Sequence, residues 1–272
     1  MNYEEKLDLL EETLKGYGRM ALAFSGGVDS TFLLLFAKKV LGDNVMAITA
    51  SAPNFAPDEV AYARQLCRRE GIKHEVIDLG EEILKSFADN PPDRCYICKH
   101  AIFSHMIETL EANYPDTVLV DGTNVDDMKD YRPGRKALVE LGIVSPLKEA
   151  NLTKAEVRRG LKELGGEIWN KPAFACLASR IPYGESITAE KMNVIYNAES
   201  ALRELGFEQV RVRHHGNLAR IEVSASDRRQ FFDLSLMDKV NHVIKDAGFL
   251  YATLDLGGYR MGSLNEEIEK QR

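Results

Sequence analysis

Leu7, Leu10 and Leu14 fall three and four residues apart, a spacing that predicts a helix over residues 2–16 with one apolar face. RMALAF (19–24) is a short apolar run that reads as a buried strand, and it leads straight into SGGVDS (25–30). TFLLLFAKKVL then predicts a buried helix, and NVMAITA (44–50) the next strand. PDEVAYARQLCRREG (57–71) is a further helix, expected to turn Ala61, Arg64, Leu66 and Cys67 toward the interior. KHEVIDL (73–79) is the third strand. A helix from about Cys95 carries Ile97, Phe103, Met106, Ile107 and Leu110, and TVLVDG (117–122) is the fourth strand. Strands alternating with helices in this way imply an α/β fold, a parallel sheet with helices on both faces. Ligands of such sheets bind beyond the carboxyl ends of the strands.

After Leu147 the pattern changes. Thr153-Lys-Ala-Glu156 has the form of a capping box opening a helix to about Leu164. An irregular Gly- and Pro-containing stretch, GGEIWNKPAFACLASRIPYGES, follows. Residues 188–205 form an amphipathic helix with Met192, Ile195, Ala198, Leu202 and Leu205 on one side. EQVRVRHH (208–215) and LARIEVS (218–224) alternate as strands around Gly216-Asn217, a hairpin signal. A helix over about 226–247 and a strand FLYATLDL (249–256) complete an α-β-β-α-β unit. The expected organisation is a main domain, 1–182, and a smaller C-terminal α+β domain, 183–272, with no internal repeat.

Composition adds limits rather than detail. The 272 residues are 44% hydrophobic and 28% charged, as in ordinary globular chains. The net charge of −7 argues against wholesale electrostatic binding of nucleic acid. No apolar run approaches the roughly 18–20 residues that span a bilayer, so no membrane association is expected. The acidic, amphipathic N-terminus is unlike a secretory signal, which predicts a cytoplasmic location. There, clustered cysteines more often hold metal or perform chemistry than form structural disulfides.

SGGVDS lies where a strand ends and a helix begins, so backbone N–H groups and the positive helix end converge on one spot, a ready anion site. Gly26 and Gly27 allow close backbone approach to a phosphate, Ser25 and Ser30 add hydroxyl donors, and Asp29 can hold Mg2+. The chain has no G-x-x-x-x-G-K-[ST], so the loop is not of the Walker type. Ser25-Gly26-Gly27-Val28-Asp29-Ser30 resembles the SGGxDS signature of the N-type ATP pyrophosphatases (PP-loop enzymes), which have a HUP-like fold. That resemblance implies cleavage of ATP between its α- and β-phosphates and transfer of AMP to an acceptor oxygen. DGTNVDDMKDYRPG (121–134), NKPAFACLASRIPYG (170–184), VRVRHHGNLARIEV (210–223) and TLDLGGYR (253–260) narrow it further. Together they resemble the LarE family, the pyridinium-3,5-biscarboxylate mononucleotide sulfurtransferases of nickel-pincer nucleotide cofactor synthesis. The resemblance implies that ATP adenylylates a substrate carboxylate, sulfur displaces AMP, and a thiocarboxylate forms. It also implies a small-molecule nucleotide substrate, a C-terminal domain for substrate binding and oligomerisation, a homo-oligomer, and a sulfide source that the sequence does not name.

A substrate with two carboxylates and a phosphate calls for cations. Arg211 and Arg213 alternate on one strand and so share a face, offering a guanidinium clamp; Arg180 is a second candidate, and Arg220 or Arg260 a weaker one. The competing reading leaves these arginines solvated or pairs them with Glu222 and Asp255. Asp126, Asp127 and Asp130 follow the fourth strand, where one of them could meet Mg2+ or nucleotide, or Asp130 could pair with Arg132.

Of the four cysteines, Cys67 reads as a packed helix residue. Cys95 and Cys98 form a C-x-x-C pair with no second pair to complete a zinc site. Set beside the LarE resemblance, Cys95, Cys98 and Cys176 fit three ligands of a [4Fe-4S] cluster with one iron open to carry the transferred sulfur. One branch of that family instead surrenders the sulfur of the cysteine matching Cys176, and it lacks the pair matching Cys95 and Cys98. Cys176 and Asp29 are thus the expected catalytic residues. The rival readings are a tRNA 2-thiolation enzyme of the same superfamily and a non-catalytic nucleotide-binding protein.

Overall fold

A computed structural model describes residues 1–129, 134–170 and 176–260. In chain order the elements are α1 (Tyr3–Tyr17), β1 (Met20–Ala23), α2 (Val28–Leu41), β2 (Val45–Ser51), α3 (Pro57–Arg69), β3 (Lys73–Asp78), α4 (Glu82–Lys85), α5 (Arg94–Asn113), β4 (Val118–Val120), α6 (Gly134–Glu140), α7 (Pro146–Glu149) and α8 (Lys154–Glu163). Then follow α9 (Ala189–Glu204), β5 (Val210–His215), β6 (Leu218–Val223), α10 (Leu234–Asp246) and β7 (Tyr251–Leu254). The chain divides into two units: residues 1–52, 57–83 and 95–174 in one, residues 53–56, 84–94 and 175–272 in the other.

The first unit is built on a parallel sheet of order β3-β2-β1-β4. Met20, the first residue of central β1, pairs with Val45 on one side and Val118 on the other, and residues 20–22 are fully buried. Such a doubly covered strand must be apolar throughout, which is why MALA carries no alternation. α1 starts cleanly because Asn2 and Glu5 form a reciprocal capping box, at 3.0 and 2.9 Å. Leu10 and Leu14 then enter a core with Leu22, Phe32, Leu33, Val157 and Leu161. α2 and α8 meet at Gly160, where a Cβ would stand 2.4 Å from the Phe32 ring and 2.8 Å from the Tyr3 hydroxyl. The absence of a side chain there lets Phe32 bury completely, worth about 1.5–3 kcal/mol.

The second unit holds a three-stranded sheet of order β5-β6-β7. β5 and β6 are an antiparallel hairpin turning at Gly216, whose φ of 59° suits glycine. β7 returns parallel to β6, a connection that requires a crossover element, and α10 supplies it. Met192, Ile195, Ala198 and Leu202 of α9 are fully buried, as are Val210 and Val212 of β5. The architecture is therefore a HUP-like α/β sheet with a smaller C-terminal sheet.

Three local expectations change. α3 buries Leu66 and Cys67 as expected, together with Ala63, while Ala61 and Arg64 face solvent, because positions 63, 66 and 67 stand three and four residues apart on one helical face. The single helix expected over 226–247 is divided at Asp233, whose extended backbone (ψ 115°) breaks the helix and whose carboxylate accepts the Ser235 N–H at 2.8 Å to cap α10. The fourth strand is only Val118–Val120, since Asp121 already turns to bind side chains. Among the described residues no helix is long and apolar enough to cross a membrane. Gly160→Ala should destabilise the protein by about 1–3 kcal/mol through overpacking against Phe32, readable as a lowered denaturant midpoint.

Candidate active site

β1 delivers the chain to the carboxyl edge of the sheet, where the Phe24 N–H still bonds to the Ile48 carbonyl at 2.9 Å. Gly26 then takes φ 69°, and a Cβ there would meet the Glu59 carbonyl and the Tyr62 ring, both at 3.3 Å. Both the turn and the approach of α3 therefore call for glycine. Gly27 is the N-cap of α2 and no side chain caps that helix, which leaves its first-turn N–H groups for a ligand beside exposed Ser25. The Ser25 and Ser30 hydroxyls lie 3.1 Å apart, and Ser30 donates to the Gly27 carbonyl at 3.1 Å. Ser25, Gly26, Gly27, Asp29 and Ser30 thus form one continuous turn at a helix start, a geometry suited to an anion.

The loop after β4 presses against this turn. At Gly122 a Cβ would lie 3.0 Å from the Ser30 nitrogen and 3.1 Å from its Cα. That approach brings the Asn124 Nδ2 to the Asp29 carboxylate at 3.0 Å. The other Asp29 oxygen accepts from the Lys154 ammonium. The motifs give Lys154 no role, although the sequence carries a signal. It stands in the first turn of α8, where the helix dipole disfavours a cation, so the helix itself gains nothing from a lysine there. Asp126 accepts the Lys154 backbone N–H at 2.8 Å and so caps α8, while Asp127 accepts the Asn124 N–H at 3.1 Å. Both aspartates therefore have framework contacts beside Asp29; Asp130 lies outside the described residues.

Behind the turn, the Thr49 hydroxyl donates to the Phe24 carbonyl at 2.8 Å and meets the His74 Nε2 at 2.8 Å. Since the Thr49 proton is committed to Phe24, the His74 Nε2 is the donor. Burial, helped by the nearby Arg64 charge, pushes the His74 pKa down to about 4.

In the second unit, Cys176 opens a short turn, Leu177–Arg180. Its Sγ accepts from the Asn54 Nδ2 at 3.5 Å, and its carbonyl accepts from the Ser179 N–H, the Ser179 hydroxyl and Arg180 at 2.9, 2.7 and 3.1 Å. Arg180 is 1% exposed and forks onto both oxygens of fully buried Glu199, at 2.8 and 3.1 Å. Glu199 also accepts from Arg203 at 2.9 Å and from the Val212 N–H at 3.1 Å. Burial raises the Glu199 pKa, but Arg180, then Arg211 and Arg203, bring it below the ordinary value.

Arg213 bonds to the Ser179 carbonyl at 2.9 Å and to buried Glu222 at 2.7 Å. Arg211 donates to the Val210 carbonyl at 2.8 Å and lies 5.3 Å from the Tyr259 ring centroid. Desolvation and repulsion from Arg180 and Arg213 hold Arg211 at about 10. The pairings foreseen for Glu222 and Asp255 are present, Arg220 bonding to both carboxylates. The three candidate arginines therefore cluster in this unit around the turn that begins at Cys176.

Cys95 is exposed and Cys98 half-buried in the first turns of α5, whereas Cys67 is buried with its pKa pushed up to about 12 by desolvation. Cys95 and Cys98 belong to the first unit and Cys176 to the second. Among the described residues no three His, Cys, Asp or Glu side chains gather into a group able to hold a metal ion. Arg94, just before Cys95, is anchored in the second unit to Asn90 and to the Ile181 carbonyl, the latter at 3.3 Å.

A family model described as asparagine synthase matches residues 8–102. An uncharacterized protein of Synechocystis is 44% identical over 271 residues, covering 98% of this chain and 99% of its own. Pyridinium-3,5-bisthiocarboxylic acid mononucleotide synthase of Lactiplantibacillus plantarum is 39% identical over 265 residues, covering 96% of this chain and 94% of its own. The glutamine-hydrolysing GMP synthase of Aeropyrum pernix is 27% identical over 219 residues, 72% of this chain and 42% of its own.

Two solution measurements probe these environments. As pH falls from 6.5 to about 4, the unfolded chain takes up a proton at His74 that the native ring refuses, so stability declines across that window; His74→Gln should flatten this part of a plot of Tm against pH. A thiol reagent should modify Cys95 in the native protein and Cys67 only after denaturation.

Proposed function

The chain belongs to the LarE family of pyridinium-3,5-bisthiocarboxylic acid mononucleotide synthases, and on that footing we propose that it uses ATP to convert a carboxylate of a pyridinium-3,5-biscarboxylic acid mononucleotide into a thiocarboxylate. The observation that carries the ATP step is the uncapped start of α2 with the Asp29–Lys154 pair beside it. The Ser25–Ser30 turn receives the phosphates of ATP through backbone N–H groups, and Lys154 swings from Asp29 to the phosphate chain. One carboxylate together with substrate phosphates is a usual setting for Mg2+, so Asp29 suits that ion, which would offset the phosphate charge. The substrate carboxylate attacks the α-phosphorus, the bond to the bridging oxygen breaks, and pyrophosphate leaves. A mixed anhydride with AMP remains.

Sulfur then enters at Cys176. Its thiolate attacks the acyl carbon and AMP departs with the electrons of the broken C–O bond. Loss of the Cα proton and cleavage of the Cβ–S bond free the thiocarboxylate and leave dehydroalanine. Arg180 and Arg213 hold the turn that presents Cys176. Arg211, crowded by two other guanidinium groups, favours a substrate anion that relieves the repulsion. This step takes its sulfur from the Cys176 side chain alone. Iron and sulfide contents of about four each in anaerobically purified protein would instead support a [4Fe-4S] centre on Cys95, Cys98 and Cys176.

Lys154→Met should lower substrate-dependent pyrophosphate release by about 10²–10³-fold, as for loss of one charge-stabilising donor. Cys176→Ala should leave that release intact and abolish the thiocarboxylate product, read by mass spectrometry. Thiocarboxylate formation by the alanine variant would overturn the role given to Cys176, and absence of pyrophosphate from the unaltered protein would overturn the reaction.

A further inference from the structure

We propose that Lys6, on α1, is a positioning residue for Lys154, acting through Glu156; this rests on the ATP-binding role given to Lys154 above. Lys6 is 8% exposed, and its ammonium bridges both oxygens of Glu156 at 2.8 and 2.9 Å across a sequence separation of 150 residues. Lysine is seldom buried, and in a purely structural position an apolar side chain would serve as well. Glu156 has a second duty that needs its charge. The oxygen that meets Lys6 at 2.9 Å also accepts the Thr153 N–H at 2.8 Å and the Thr153 hydroxyl at 2.7 Å. Thr153 is the N-cap of α8 and returns a hydroxyl oxygen to the Glu156 N–H at 3.3 Å.

Lys154 directly follows this cap, two residues before this carboxylate, and its own N–H is held by Asp126. The backbone under Lys154 is thus fixed from three sides, and Lys6 is the cation that reaches this carboxylate from a distant element. A long lysine side chain carries about 2 kcal/mol of rotamer entropy, so the direction of its stem depends on how rigidly its backbone is set. Small displacements at a reacting centre are costly, about a hundredfold for 1 Å. Lys6 therefore governs how well Lys154 reaches from Asp29 to the phosphates without touching either.

A double-mutant cycle tests this. Lys6→Met should slow substrate-dependent pyrophosphate release about tenfold, and Glu156→Gln, which keeps the side-chain shape, should act in the same direction. In a Lys154→Met background, neither change should slow the residual rate further, although each should still lower Tm. Equal fold-losses in both backgrounds, or a lowered Tm with an unchanged rate, would overturn the assignment. If Lys6→Met does not fold, Glu156→Gln carries the cycle alone. The Mg-ATP-induced rise in Tm is followed in parallel. No rise and no pyrophosphate from the unaltered protein would overturn the ATP reading and this proposal with it. A normal wild-type response with additive losses would overturn the role of Lys6 alone.

Discussion

The approach of the β4 loop to the first turn of α2 is the constraint on which the first unit's site depends. At Gly122 the two backbones are so close that a methyl group would stand 3.0 Å from the Ser30 nitrogen. A side chain there would force one backbone to give by a few tenths of an ångström, and a displaced loop would carry Asn124 away from Asp29. The same loop brings Asp126 to the start of α8 and so sets where Lys154 begins. One glycine contact thereby joins two helix N-termini: one left uncapped for an anion, the other closed by a capping box and an aspartate.

The contrast between these helix starts explains the division of labour. At α2, Gly27 at the N-cap offers no side chain, so the backbone donors of the first turn stay available, with Asp29 as the anion in that turn. At α8, Thr153, Glu156 and Asp126 satisfy the donors, so that helix offers a side chain rather than its backbone. A lysine at a helix start opposes the local dipole, and pairing with Asp29 offsets that cost while no phosphate is bound.

The second unit solves a different problem, how to keep several guanidinium groups out of water beside a cysteine. Glu199 and Glu222, both fully buried, make this possible by accepting from Arg180, Arg203, Arg213 and Arg220. Removing either carboxylate would leave buried charge uncompensated, which costs far more than the pair contributes. The spare donors of Arg180 and Arg213 go to the Cys176 and Ser179 carbonyls, so the same buried network that holds the arginines also shapes the cysteine turn.

Local sequence was sufficient for the features governed by short-range physics. The uniform apolar run of β1, the leucine spacing of α1, the Thr153–Glu156 box and the glycine turn at residues 25–30 are each written within a few neighbouring residues, and each is present. Where two local rules competed the pattern misled: Asp233 outweighed helical periodicity over 226–247, and α3 turned Arg64 outward. Arg211 and Arg213 were legible as cations on one strand face, and Glu222 and Asp255 as partners for the arginines, but Glu199 was not, because it comes from a different element, α9. Lys154 and Lys6 were illegible in role for the same reason. A charge acquires its function from what lies across from it, and Asp29 and Glu156 reach them over 125 and 150 residues, a separation that only the folded chain closes.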